Sequence, residues 1–284
     1  MPNWSVHSLG AAALLAATLG LGGCGTLNTG SAEADPAATA LTSTNIASLT
    51  DVVQRNPNDA QAYNMRGTVL GQNGKPKEAL ADFDKAIGID PNFSQAYANR
   101  GLVHRQMGSA DAALADYSRA IELDANYAAA YLGRGLAYKQ KGDALAALQD
   151  FNKAIAIRPN DAQAYYNRGL LYQGQKQYQY AVDDFTTAMG LAQREAEPLV
   201  ARGLTYLAMS DFKSAAADLD DAVQIEPENL QAWTSRGLAY ERLGNSERAV
   251  GSYAKALSIN QNFAPAKSGF TRVGGKFGQT YQSF

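Results

Sequence analysis

The sequence predicts an all-α solenoid of stacked antiparallel helix pairs, and three observations carry that expectation. From Ala60 onward the chain repeats every 34 residues without an insertion or deletion, a period that marks a helical repeat array. Within each block, apolar residues recur at 3.6-residue spacing over two separate stretches, which reads as two helices that each bury one face. Glycine and alanine return at fixed places in every block, where closely crossing helices need small side chains.

The composition fits a folded chain: 46% of its 284 residues are hydrophobic and 18% charged. The 25 Lys and Arg nearly balance 27 Asp and Glu, for a net charge of -2, and no basic run occurs. Nucleic-acid binding rests on clustered cations that neutralise phosphates, so that partner class is not expected. A single cysteine, Cys24, leaves no intramolecular disulfide and no Cys-based zinc site.

Residues 1–23 read as a signal peptide. Leu9–Gly23 is an uncharged run rich in Ala, Leu and Gly, too short to span a bilayer and of the length of a secretory core. The ending Leu21-Gly22-Gly23-Cys24 resembles the lipobox of bacterial lipoproteins, in which small residues precede a cysteine that is lipidated and becomes the new N-terminus. The stretch Met1–Ser8 differs from that pattern, having no Lys or Arg; the alternative is an N-terminal helix with an incidental cysteine. The resemblance implies acylation of Cys24, membrane anchoring through it and, because Gly25 follows, a place on the outer membrane facing the periplasm. Residues 24–43 are small and polar and read as a flexible tether with a reach of roughly 25 Å.

Residues 44–58 are expected to form a capping helix, because Leu49, Val52 and Val53 fall at helical spacing ahead of Pro57. Six repeats follow, at 60–93, 94–127, 128–161, 162–195, 196–229 and 230–263. Counting places from the start of each block, place 4 is Tyr63, Tyr97, Tyr131, Tyr165, Leu199 and Trp233, and place 24 is Phe83, Tyr117, Phe151, Phe185, Leu219 and Tyr253. Place 8 is Gly and places 20 and 27 are Ala in every block, with Pro57, Pro91, Pro159 and Pro227 after second helices. This pattern resembles the tetratricopeptide repeat. It implies a right-handed superhelix whose concave wall is lined by places 2, 5, 9 and 12. Residues 264–273 begin a further first helix and are expected to cap the array, followed by a tail over 274–284.

Place 7 is Arg in all six repeats: Arg66, Arg100, Arg134, Arg168, Arg202 and Arg236. Place 23 is Asp in five: Asp82, Asp116, Asp150, Asp184 and Asp218, with Ser252 in the sixth. An arginine fork matches a carboxylate that recurs in step with it, so a ladder of ion pairs is expected within or between repeats. The alternative is a cationic strip that receives carboxylates from a ligand.

On the concave wall, place 9 supplies Leu102, Leu136, Leu170, Leu204 and Leu238, and place 5 adds Leu132, Tyr166 and Val200. Such a row suits an extended or helical peptide with apolar anchors; alternatively, these side chains only complete the core. Asn99 and Asn167 match the place-6 asparagine of the chaperone-docking subgroup, but that subgroup's clamp lysines are missing. His104 takes place 11, where the next four repeats have Tyr, and reads as a packing residue. No GxSxG, HExxH, phosphate-binding loop or paired catalytic carboxylate occurs, so no catalytic residue, metal site or cofactor is expected. Phe277, Tyr281 and Phe284, at i, i+4 and i+7, form either a short docking segment or an irregular end.

The function expected from these features is that of a membrane-anchored adaptor of the bacterial cell envelope, which holds a peptide segment of another protein. Two further roles fit the same sequence: a structural subunit of an outer-membrane assembly or pilus machine, and an accessory factor of envelope enzymes such as peptidoglycan hydrolases or polysaccharide exporters. The oligomeric state stays open.

Overall fold

The computed structural model describes residues 36–192 and 194–282, with side chains from Asn45 onward. The signal peptide, Cys24 and the tether up to residue 35 lie outside the described residues, as does Phe284. The chain divides into two compact units, Met1–Thr44 and Asn45–Phe284. Helix α1 runs from Pro36 to Arg55, so it starts inside the segment expected to be a tether. The reason is local: proline is pre-organised for the first helical position, and the Ala-Ala-Thr-Ala-Leu that follows favours helix over coil.

In the second unit, helices pair in the order of the repeats. The pairs are α2 (Ala60–Gln72) with α3 (Pro76–Ile89), α4 (Ser94–Gln106) with α5 (Ala110–Leu123), and α6 (Ala128–Lys141) with α7 (Ala144–Ile157). They continue with α8 (Ala162–Gly174) and α9 (Tyr178–Leu191), α10 (Ala196–Ala208) and α11 (Phe212–Ile225), and α12 (Leu230–Arg242) and α13 (Ser246–Ile259). A single helix, α14 (Ala264–Arg272), closes the array. The described residues contain no strand.

Helix starts are fixed by side chains that accept backbone N–H groups: Asp59, Asp143, Asp161, Asp211, Asn229 and Asn245 each do so. Between the two helices of a repeat, place 15 takes a left-handed conformation throughout. Gly74, Gly108, Gly142 and Gly244 supply it in four repeats, but Lys176 (φ 60°) and Ser210 (φ 63°) do so in the other two.

The core is built from alanines at places 20 and 27, all essentially inaccessible, around the place-24 ring or leucine. Place 8 has to be glycine because that ring lies against it: a Cβ on Gly67 would meet Phe83 at 2.8 Å, and one on Gly135 would meet Phe151 at 2.7 Å. First helices also touch first helices of the next repeat, as α2 touches α4, α4 touches α6 and α10 touches α12, whereas second helices make no comparable contact with one another. The row of first helices is therefore the tighter one, and it forms the inner wall of this unit.

Candidate functional site

The place-7 arginines lie between helices. Arg66 donates from Nε and Nη2 to the two carboxylate oxygens of Asp82, both at 2.7 Å. The same fork joins Arg100 to Asp116, Arg134 to Asp150, Arg168 to Asp184 and Arg202 to Asp218, at 2.6 to 2.9 Å. Each of these aspartates is buried.

Sequence reading missed a third bond of each arginine. Nη1 reaches back to place 25 of the preceding block, so that Arg100 donates to Asp84, Arg134 to Ser118, Arg168 to Asn152 and Arg202 to Thr186, at 2.6 to 3.1 Å. One guanidinium thus ties three helices together. Where place 23 is Ser252, Arg236 instead takes Asp220 of the preceding block through Nε at 2.5 Å and donates through Nη1 to Ser252 at 2.7 Å. The bonds to aspartate raise the pKa of Arg66, Arg100, Arg134, Arg168 and Arg202 above the ordinary arginine value, against the opposing pull of burial.

Aromatic rings cover these cations as well. Tyr63, Tyr97, Tyr131, Tyr165 and Trp233 at place 4 lie 5.2 to 5.7 Å from the guanidinium carbon. Where place 4 is Leu199, Tyr206 at place 11 serves Arg202 from 5.8 Å. With their forks occupied and their faces covered, these arginines form no open cationic strip.

On the inner wall, Leu102 is 40% exposed, while Leu132, Leu136, Tyr166, Leu170, Leu204 and Leu238 are half-buried. Several of them also serve the core. The Tyr166 ring packs on Phe185 at 5.8 Å between centroids, Leu170 joins the cluster of Ala181, Phe185 and Ala201, and Leu204 joins the large C-terminal cluster. Val200 needs correction. At 6% exposure it is a core residue, packed in the same C-terminal cluster as Leu219 and Trp233, and offers nothing to a ligand.

Polar bridges run along the same wall from one first helix to the next. Asn99 donates to Asn64 at 2.9 Å, Lys139 to Asn167 at 3.1 Å, and Gln173 to Thr205 at 2.8 Å.

His104 is half-buried, with Nε2 3.9 Å from Asp116. Among the described residues no group of His, Cys, Asp and Glu is placed to hold a metal ion, and no helix is long and apolar enough to cross a membrane. The tail folds back on α14, where Phe270 packs against Phe277 at 5.1 Å and edge-on against Tyr281 at 5.3 Å. Glu241 accepts from Tyr253 at 2.7 Å and from Arg272 at 2.8 Å.

Models of the tetratricopeptide repeat match residues 60–93, 162–195 and 200–265, and a model described as TPR repeat matches 101–142 and 137–176. No curated protein matches the chain. Among solved structures, it is similar to a chain of the APC/C hetero-tetramer Cut9–Hcn1, at 21% identity and TM-score 0.68, over 83% of this chain and 46% of that one. The chain therefore spans about half the length of that relative. It is also similar to YrrB, described as a TPR protein with an unusual peptide-binding site, at 24% identity and TM-score 0.58, over 66% and 96% of the two chains. PilF of Pseudomonas aeruginosa is a third, at 17% identity and TM-score 0.69, over 75% and 97%. At these identities the likeness is one of fold.

Proposed function

Because the chain belongs to the tetratricopeptide-repeat proteins, whose fold suggests a protein–protein interaction scaffold, we propose that it is a lipid-anchored adaptor of the bacterial envelope. It attaches through Cys24, faces the periplasm from the outer membrane, and holds a peptide segment of a partner protein against its inner wall. The observation that carries this reading is the incompletely buried leucine row, Leu102, Leu136, Leu170, Leu204 and Leu238, one per first helix from α4 to α12. Apolar surface repeated at one height along a row of helices suits an extended or helical segment. Replacing Leu136 and Leu170 by Glu tests it: partner binding is lost while the helical content stays. A partner retained by that variant counts against the groove. Anchoring is tested by Cys24→Ala, which is expected to move the protein from the membrane to the soluble fraction; recovery of the variant with membranes excludes attachment through that residue.

The second reading, a structural subunit of an assembly machine, draws on Leu145 and Tyr180. They are 68% and 62% exposed, in the first turns of α7 and α9 on the second-helix row. Changing both to Glu dissolves a complex built on that edge and leaves a groove-bound partner in place.

A further inference from the structure

One junction on the inner wall is built differently from its neighbours. In the two repeats that follow, place 12 reaches the first helix of the next repeat: Lys139 reaches Asn167, and Gln173 reaches the Ala201 carbonyl oxygen and Thr205. Arg105 is the place-12 residue of the second repeat, but the facing place 6 is Gly133, which has no side chain to accept. The glycine is enforced from behind: a Cβ there would lie 2.3 Å from the nearest atom of the Tyr117 ring and 2.8 Å from its hydroxyl oxygen. The pairing recurs. The blocks with Tyr at place 24, Tyr117 and Tyr253, are followed by Gly133 and Gly269 at the next place 6, whereas Phe83 and Phe151 are followed by Asn99 and Asn167.

In the last tyrosine block the hydroxyl donates to place 12 of its own repeat, Glu241, at 2.7 Å; in the other, place 12 is Arg105, which acts electrostatically on Tyr117. Glu241 also has Arg272 to balance its charge. Arg105 has no such partner. No described carboxylate lies within 4.0 Å of it, its buried Nε has no hydrogen-bond acceptor, and the half-buried guanidinium lies near the buried Tyr117, where burial raises the phenol pKa and the Arg105 charge opposes that rise. A half-buried cation without a counter-charge is costly unless something else supplies one. On the same helix face, one turn earlier, stands the exposed Leu102, and Leu136 lies on the next first helix.

The geometry points to Arg105 as the anion-recognising residue of the inner wall. It takes an Asp or Glu side chain of a bound peptide, flanked by aliphatic residues that rest on Leu102 and Leu136, while Tyr117 and Gly133 act as positioning residues. This rests on the groove reading above and names the partner's chemistry: an acidic-aliphatic segment. The charge-assisted bond would be worth tenfold or more in affinity.

The test pans a random dodecapeptide display library on the purified full chain, then measures the affinity of selected peptides for the wild type and two variants. Peptides that need Leu136 and Leu170 are expected to be rich in Asp or Glu beside Leu, Ile or Val. Arg105→Gln weakens them at least tenfold, and changing the acid to its amide removes that difference. The double variant Tyr117→Phe with Gly133→Asn copies the Phe151–Asn167 junction and gives Arg105 an amide acceptor. It is expected to weaken acidic peptides while the thermal unfolding curve holds. Groove-dependent peptides without acid enrichment, or acidic peptides that bind Arg105→Gln as tightly as wild type, overturn the assignment and leave the groove intact. If no peptide is enriched over a blank surface, the groove reading falls and this inference with it.

Discussion

The residue that most determines this structure is the place-7 arginine. Its five N–H donors fit a carboxylate ahead and a polar group behind, and place 25 keeps that group polar, as Asp84, Ser118, Asn152, Thr186 and Asp220, for as long as an arginine follows. At the end of the array the pairing changes on both sides: Ala254 takes place 25, and Phe270 stands where the arginine would be. Asp150→Ala removes the fork from half-buried Arg134 and is expected to cost about 2 kcal/mol, read from urea unfolding; a loss below about 0.5 kcal/mol would reduce the pair to surface decoration. Gly133→Asn overpacks Tyr117 and is expected to cost about 1–3 kcal/mol, most of it restored by adding Tyr117→Phe; additive losses would sink the coupling. The arginine–aspartate register could be read in the sequence because Arg recurs in all six blocks and Asp in the first five. The third bond was also there to be read at place 25, but its residue types vary, and a varied polar place looks like ordinary solvated surface. The fate of Val200 could not be read, because periodicity gives the face of a helix but not how deeply a neighbouring helix covers it.

At the scale of the element, helix pairs and their turns followed from glycine, alanine and cap residues. The start of α1 at Pro36 was harder to see, since small residues such as those after Pro36 serve coil and helix alike. The left-handed turn at place 15 exposes an avoidable strain. Lys176→Gly and Ser210→Gly relieve it and are expected to add about 1 kcal/mol each, seen as a higher urea midpoint; a lower midpoint for either would mean that its side chain has a compensating contact. At the C-terminal end, burial alone would raise the Glu241 pKa, but the bonds from Arg272 and Tyr253 outweigh it and hold it below the ordinary glutamate value. A carboxylate whose folded pKa is depressed contributes stability above its unfolded pKa of about 4.3 and loses it as pH falls through the folded value. Glu241→Gln should therefore lower stability at neutral pH and flatten its fall in acid, in paired unfolding curves at the two pH values. An unchanged acid slope would show that this carboxylate is not linked to folding.

For the whole molecule, the same small side chains that let first helices crowd together also set their row on the inside, and the arginine clamps tie each repeat to the one before it. A scaffold of this kind can present one leucine from each first helix from α4 to α12 along the same wall. The most direct test of the inner wall as the gripping surface is photo-crosslinking in cells from a reactive residue placed at 170, with a second placed at 145 on the other helix row. The expected result is a discrete adduct from 170 that disappears with Leu136→Glu and no matching adduct from 145. Adducts that form from 145 and not from 170 would contradict it.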